Sequence, residues 1–379
     1  MKLNRFNWRR FCAMVTKEFI QMRRDRLTFG MMIGVPMLQL ILFGYAINSD
    51  PKHLPTAVYS ADNSVFSRTI VQAMRNSDYF KIVREPEKEG EIQTLLAENK
   101  VQFAVTIPVD FSRKLLRGEK PDLLLEADAT DPAAVGPATA AMNSLTASVL
   151  NRDLTGPLTK LRGTGAPFNL VVHAHYNPEN ITQYNIVPGL MGVMLTMTMV
   201  MITALAITRE RERGTMENLL STPVRPGEVL IGKIIPYIAV GYVQVTLILL
   251  AAKFLFDVPV VGSVPLLLAM TLLFIVANLT MGIMFSTVAK NQLQAMQMSF
   301  FFFLPSLLLS GYMFPFRGMP VWAQSIGECL PLTHFLRVVR GILLKGNGFS
   351  EIAPDLWPIA LFLVVMLTVA IKRYRQTLD

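Results

Sequence analysis

Charged residues are scarce in this chain. Aspartate, glutamate, lysine and arginine together supply 17% of its 379 residues, whereas 52% are hydrophobic. That leaves too little polar surface to cover a water-soluble globule of this length, and the apolar residues gather in blocks long enough to cross a bilayer. Cysteine is scarcer still. Only Cys12 and Cys329 are present, too few for a thiolate metal site, and the span assignment below sets them on opposite sides of a membrane, so no intrachain disulfide is expected. There is no G-x-S-x-G, no H-E-x-x-H and no acid pair in a membrane-protected setting, which leaves no residue set for the commonest hydrolytic chemistries. A cleavable leader is not expected either. Residues 2–26 are basic throughout, residues 27–47 are too long for a leader's apolar core, and no small-residue cleavage site follows. The net charge of +9 sits mostly beside the apolar runs, a bias that membrane topology explains better than a nucleic-acid partner.

What the chain has in abundance is long apolar segments. Ahead of them, residues 1–26 read as an amphipathic helix. Trp8, Phe11, Val15, Phe19 and Met22 recur at spacings of three and four, with Arg9, Arg10, Lys17, Arg23 and Arg24 around them, a pattern that sinks into a membrane interface. Residues 27–47 form a first span, uncharged and kinked at Pro36. Further spans are read at 186–207, 234–256, 263–289, 293–314 and 352–371, with 372–379 as a tail. Residues 315–351 are different. Within them 332–344 is apolar but too short to cross, and Arg337 and Arg340 would each cost about 2.5–3.5 kcal/mol at mid-bilayer. A re-entrant or interfacial hairpin bounded by Gly327, Pro331 and Gly341 is expected there.

Between the first two spans, residues 48–185 have the composition of a soluble domain. Strands expected at 54–59, 81–84, 101–107, 122–126 and 170–175 alternate with helices at 67–76, 87–99 and 133–154, the pattern of an α/β sheet. The expected fold is an α-helical polytopic membrane protein of six transmembrane helices with an inserted extracytoplasmic α/β domain. Lysine and arginine set its orientation. Eight precede the first span, five (Arg209, Arg211, Arg213, Arg225 and Lys233) separate the second and third, three follow the last, and the turn 257–262 has none. Positive-inside bias places both termini and residues 208–233 in the cytoplasm and the α/β domain outside. Arg317, Arg337, Arg340 and Lys345 break this pattern.

Two motifs invite chemistry and do not sustain it. Gly227 to Lys233 has the spacing of a nucleotide P-loop, but Ile234 stands where Ser or Thr would hold magnesium and no strand precedes it. ATP hydrolysis by this chain alone is therefore not expected. His173 and His175 share one face of a predicted strand, yet no third ligand is visible near them in sequence, so no metal site is expected. Asn180-Ile181-Thr182 matches a glycosylation sequon, relevant only in a eukaryotic secretory host. Polar residues inside the spans should face neighbouring helices or a cavity. Of these, Gln39, Thr196, Thr203, Gln244, Asn278, Gln294 and Gln297 are the candidates for a transport pathway, with interhelical packing as the alternative. The methionine-rich second span and the run Phe300 to Phe303 suit amphiphilic or hydrophobic cargo.

The organising stretch is 208–233. Its charges alternate through Arg209, Glu210, Arg211, Glu212 and Arg213, followed by Gly214-Thr215-Met216-Glu217-Asn218-Leu219-Leu220-Ser221-Thr222-Pro223. Charge alternation alone fits a solvated loop, but the Leu219-Leu220 pair next to Glu210, Glu212 and Glu217 argues for a docking surface. At these residues, and at Gly232-Lys233 and the late segment from Pro331-Leu332 to Arg340-Gly341, the chain resembles the permease subunits of ABC-2 type exporters with a large outer domain. The resemblance implies a bacterial inner-membrane protein that pairs with a second permease copy or paralogue and with cytoplasmic ABC ATPases. ATP and magnesium would be on the ATPase, with no cofactor on this chain. It implies that Arg209, Glu210, Arg211, Glu212, Gly214, Thr215, Glu217, Leu219, Leu220 and Pro223 form the ATPase-coupling surface. Some relatives of this kind work with a periplasmic adaptor. Two other readings stay open: a membrane scaffold or secretion factor that binds a partner through its outer domain, and a membrane enzyme acting on lipid or glycan.

Overall fold

The protein was analysed as a computed structural model, which describes residues 51–161, 165–179, 181–212 and 226–376. The expected interface helix, the span 27–47 with Gln39, and residues 213–225 lie outside the described residues.

The α/β region is a five-stranded mixed sheet in the order β2-β1-β3-β4-β5. Its strands are β1 (Leu54–Ser60), β2 (Phe80–Arg84), β3 (Phe103–Ile107), β4 (Asp122–Asp128) and β5 (Asn169–His175). β1 runs parallel to β2 and β3, β3 antiparallel to β4, and β4 parallel to β5. Side chains alternate between the two faces of a strand, and the two faces have different fates here. Leu54, Val58, Phe103, Val105, Leu123 and Leu125 point to one face and join Ile70 and Met74 of α1 (Val65–Asn76) in the main core. Ala57 and Ala104 point to the other, where Ile92 and Leu96 of α2 (Gly90–Ala97) cover them. On that second face β4 carries Glu126 and Asp128, and both are buried. Two more helices complete the region. α3 (Phe111–Leu116) was not anticipated, because six residues are too few to show a helical period. α4 (Pro132–Ser148) ends before the expected 154, and α2 is likewise shorter than the expected 87–99.

The rest is helical: α5 (Thr182–Glu212), α6 (Pro226–Leu255), α7 (Val264–Val288), α8 (Gln292–Leu309), α9 (Val321–Glu328), α10 (Pro331–Arg340) and α11 (Phe349–Gln376). Among the described residues five helices are long and apolar enough to cross a membrane: α5, α6, α7, α8 and α11. α8 stops at Leu309, short of the expected 314, where Gly311 takes a left-handed φ of +83°. α6 begins at Pro226, so Gly227 to Lys233 is helix and does not form a phosphate-cradling loop. The bundle centres on α7, which packs against α5 and α11 with Phe274 stacked on Phe335 of α10 at a centroid distance of 4.0 Å. α10 is buried except for its two arginines, and it continues into a π-turn, Gly341–Lys345, closed by Gly346 at φ +74°.

α5 and α7 meet backbone to backbone at Gly282, where an added Cβ would lie 2.5 Å from the Val200 carbonyl oxygen. Gly282→Ala should lower the thermal unfolding midpoint of detergent-solubilised protein, with an overpacking cost of about 1–3 kcal/mol. An unchanged midpoint would show that the two helices separate freely.

Candidate functional site

The residues that break the charge pattern of the sequence converge where the sheet meets the bundle. Lys345, at the end of the π-turn, has 1% of its side chain exposed. Its ammonium has three protons to donate, and it meets three acceptors: Asp128 Oδ2 at 2.6 Å, Asn99 Oδ1 at 2.5 Å and the Leu96 carbonyl at 3.0 Å. Asp128 is equally occupied, since its other oxygen accepts from the Thr130 amide and hydroxyl. The Tyr176 ring lies 5.1 Å from the ammonium, and burial, reinforced by the Asp128 and Glu126 charges, pushes the Tyr176 hydroxyl up to about 12. Two more donors reach the C-terminal end of α2. Asn347 Nδ2 binds the Ala97 carbonyl at 3.0 Å, and Arg317 binds the Asn99 carbonyl at 2.5 Å. Together with Lys345 they satisfy carbonyls that a helix end leaves open and place positive charge at its negative pole.

The arginines of α10 are held from both sides. Arg337 pairs with Glu328 of α9 at 2.6 Å and Asp355 of α11 at 3.3 Å, above the Phe316 ring. His334 of α10 faces the same Asp355 through Nδ1 at 2.8 Å and the Glu328 carbonyl through Nε2 at 2.9 Å. Arg340 donates to the Gly311 carbonyl and to Asn185 Oδ1 at 3.0 Å, and Asn185 in turn donates to the Thr130 carbonyl at 2.6 Å. Asp131 is half-buried beside this network, and desolvation raises its carboxyl above the ordinary range while Arg340 opposes the shift. Next to Arg317 opens a cavity of about 1200 Å³ whose lining includes Lys52, Lys81, Arg84 and Lys100 and, among the described residues, no acidic side chain.

At the opposite end of α5 lie the first of the residues assigned to coupling. Glu212 Oε1 accepts from the Gln292 amide at 2.7 Å, capping the first turn of α8, and Arg209 Nε approaches Gln292 Oε1 at 3.4 Å. The hydrogen bonds from Gln292 lower the Glu212 carboxyl below the usual glutamate range. Its contribution is therefore fully present at neutral pH and is lost as pH falls through that lowered value. Glu210 and Arg211 belong to the last turn of α5, with side chains outside the described residues. Gly214, Thr215, Glu217, Leu219, Leu220 and Pro223 lie outside them altogether.

The candidate pathway residues that the structure describes are placed as follows. Thr196 and Thr203 give their hydroxyls to the Gly192 and Met199 carbonyls of their own helix. Gln294 is buried and accepts from the Lys290 amide at the start of α8. Gln244 accepts from Thr198 across the α5–α6 contact at 2.9 Å. Asn278 donates to the Phe274 carbonyl, and its own oxygen, like that of Gln297, is buried without a hydrogen-bond partner among the described residues. The sequence singled out none of the junction residues as a site. Apart from the family resemblance at 331–341, their sequence signal was positive charge that breaks the expected orientation pattern.

Replacing Lys345 with methionine should leave Asp128 buried without a cation and destabilise the protein by about 3–5 kcal/mol. Adding Asp128→Asn should restore part of that loss. A double-mutant cycle read by thermal unfolding checks the coupling, and strictly additive effects would rule it out.

Residues 26–372 match the family model described as ABC-2 family transporter protein. The chain is 30% identical over 351 residues to the probable multidrug ABC transporter permease YbhS of Escherichia coli (strain K12), covering 90% of each chain. It is 29% identical over 369 residues to the probable multidrug ABC transporter permease YbhR of the same organism, covering 97% of this chain and 98% of that one. It also matches ABC transporter G family member 20 of Dictyostelium discoideum at 24% identity, spanning 93% of this chain and about half, 48%, of that protein. Its apolar helices and this match over nearly its full length make the chain a multi-pass membrane protein that belongs to the ABC-2 transporter family, as a permease component.

Proposed function

We propose that the chain is the membrane half of an ATP-driven exporter that moves amphiphilic or hydrophobic molecules outward. In this reading residues 27–47 supply a sixth span, the α/β domain lies outside, and both termini lie in the cytoplasm. A separate ATPase subunit carries ATP and magnesium and docks on residues 209–223 together with the N-terminal helix. A second permease, identical or related, completes the membrane unit, and a periplasmic adaptor is a further partner for the outer domain.

The observation that carries this reading is the continuity of α5. Its 31 residues make a rod of roughly 46 Å at 1.5 Å per residue. Near its start, Asn185 is bonded to Thr130 of the α/β region and to Arg340 of α10. At its end, Glu212 is bonded to the first residue of α8. Displacement of the segment after Glu212 by a closing ATPase is therefore passed directly to α8 and along α5 to the junction, where rigid elements repack between discrete arrangements. The basic cavity beside Arg317 suits the charged end of an amphiphile, and the outward-facing apolar side chains of α6 and α11, among them Val243, Leu247, Trp357 and Leu361, suit lipid or a second permease.

Glu212→Lys combined with Glu217→Lys should abolish cargo-stimulated ATPase activity in the reconstituted complex while membrane insertion is retained. Stimulation equal to that of the unmodified complex would refute the coupling role. Purification in mild detergent separates the exporter from a passive scaffold: a stoichiometric ATPase is expected to accompany the chain, and its absence would favour the scaffold.

A further inference from the structure

We propose that Glu126, His173 and His175 form a binding site for one divalent transition-metal ion of the zinc class. Two features of the sheet assemble it. The two-residue repeat of β5 puts His173 and His175 on the same face, their rings 4.3 Å apart. The parallel register of β4 on β5 then aligns Glu126 with His173, supplying from the neighbouring strand the third ligand that the histidine pair lacks in sequence. One ligand atom from each residue lies within 4.8 Å of the others. The closest pair, Glu126 Oε1 and His175 Nε2, is 2.9 Å apart.

The donor chemistry selects the ion. Two imidazole nitrogens and one carboxylate suit zinc and its neighbours, whereas magnesium and calcium favour oxygen ligands. Metal–ligand bonds of about 2.0–2.2 Å require the three donors to sit closer than their present outer limit. His173 is exposed, and rotation of its ring supplies that movement without disturbing the core. Glu126 is 7% exposed, and a carboxylate taken so far from water needs a charged or hydrogen-bonding partner. Among the described residues its side-chain partner is one histidine nitrogen, and a bound cation would serve it better. Because His173 opens to solvent, water completes the coordination. The ion would clamp β5, the edge strand, onto β4, two residues from the Asp128 that holds Lys345. Metal binding stands independently of the exporter reading.

The test is a zinc titration of the full chain, purified in detergent through a histidine-free tag, stripped with chelator and read against a chromophoric competitor. One equivalent of zinc is expected. His173→Ala, His175→Ala and Glu126→Gln should each weaken binding by at least the roughly 10–100-fold that loss of even a supporting group costs a metal site. His53→Ala should leave binding unchanged. His173→Ala removes an exposed side chain, so its unfolding midpoint without metal should equal that of the unmodified protein, which separates ligand loss from misfolding. Cobalt substitution should give the visible absorption of a tetrahedral site, absent in His173→Ala. Zinc binding that is missing from the unmodified chain, or undiminished in the His173→Ala, His175→Ala double variant, would overturn the proposal.

Discussion

One ammonium group ties the sheet to the helix bundle. Lys345 is almost wholly removed from water, and burying such a charge is tolerable only if every proton finds an acceptor. Its three acceptors come from the end of α2, the turn after it and the end of β4. Those segments must therefore lie within hydrogen-bonding distance of one point at the end of α10, and this requirement fixes how the α/β region sits on the helices. Arg317, Asn347 and Arg340 then add contacts whose geometry is set once Lys345 is in place. The π-turn matters here because widening the last turn of α10, with the left-handed Gly346 closing it, delivers the lysine to the sheet.

Within the bundle, packing is tight and polar groups are mostly satisfied close to home. The threonines of α5 and α7 return their hydroxyls to the preceding turn, which keeps them from seeking partners in lipid. The backbone approach at Gly282 and the Phe274–Phe335 stack hold α5, α7 and α10 as one body. Such a body transmits displacement with little internal give, because close-packed interiors repack in steps and do not deform smoothly. α5 is the part of that body that reaches both the junction and the end where Arg209 and Glu212 meet α8.

Much of the architecture was legible in the residues. The α/β alternation and the five described membrane-length helices follow from periodicity and apolar length, which depend on local sequence. Short elements such as α3, and helix ends such as that of α8 at Leu309, were not, because a single glycine or a tertiary contact sets them. The late arginines show what the tertiary structure adds. Counted as isolated charges they argue against a membrane crossing by 332–344, and in the structure α10 is a ten-residue helix buried apart from those two side chains. Glu328 and Asp355 pair with Arg337, and Asn185 and the Gly311 carbonyl accept from Arg340, which offsets part of the desolvation cost.

The sequence alone determined the chain's membrane character, its α/β region and the alternating charges that begin at Arg209. Each is a local property, written in runs of neighbouring residues. Only the tertiary structure decided that Lys345 belongs to Asp128, that Glu126 stands beside His173 and His175, and that Glu212 caps α8. Those pairings join residues 217, 47 to 49 and 80 positions apart. No periodicity spans such separations, because the partners are brought together by strand register and helix packing.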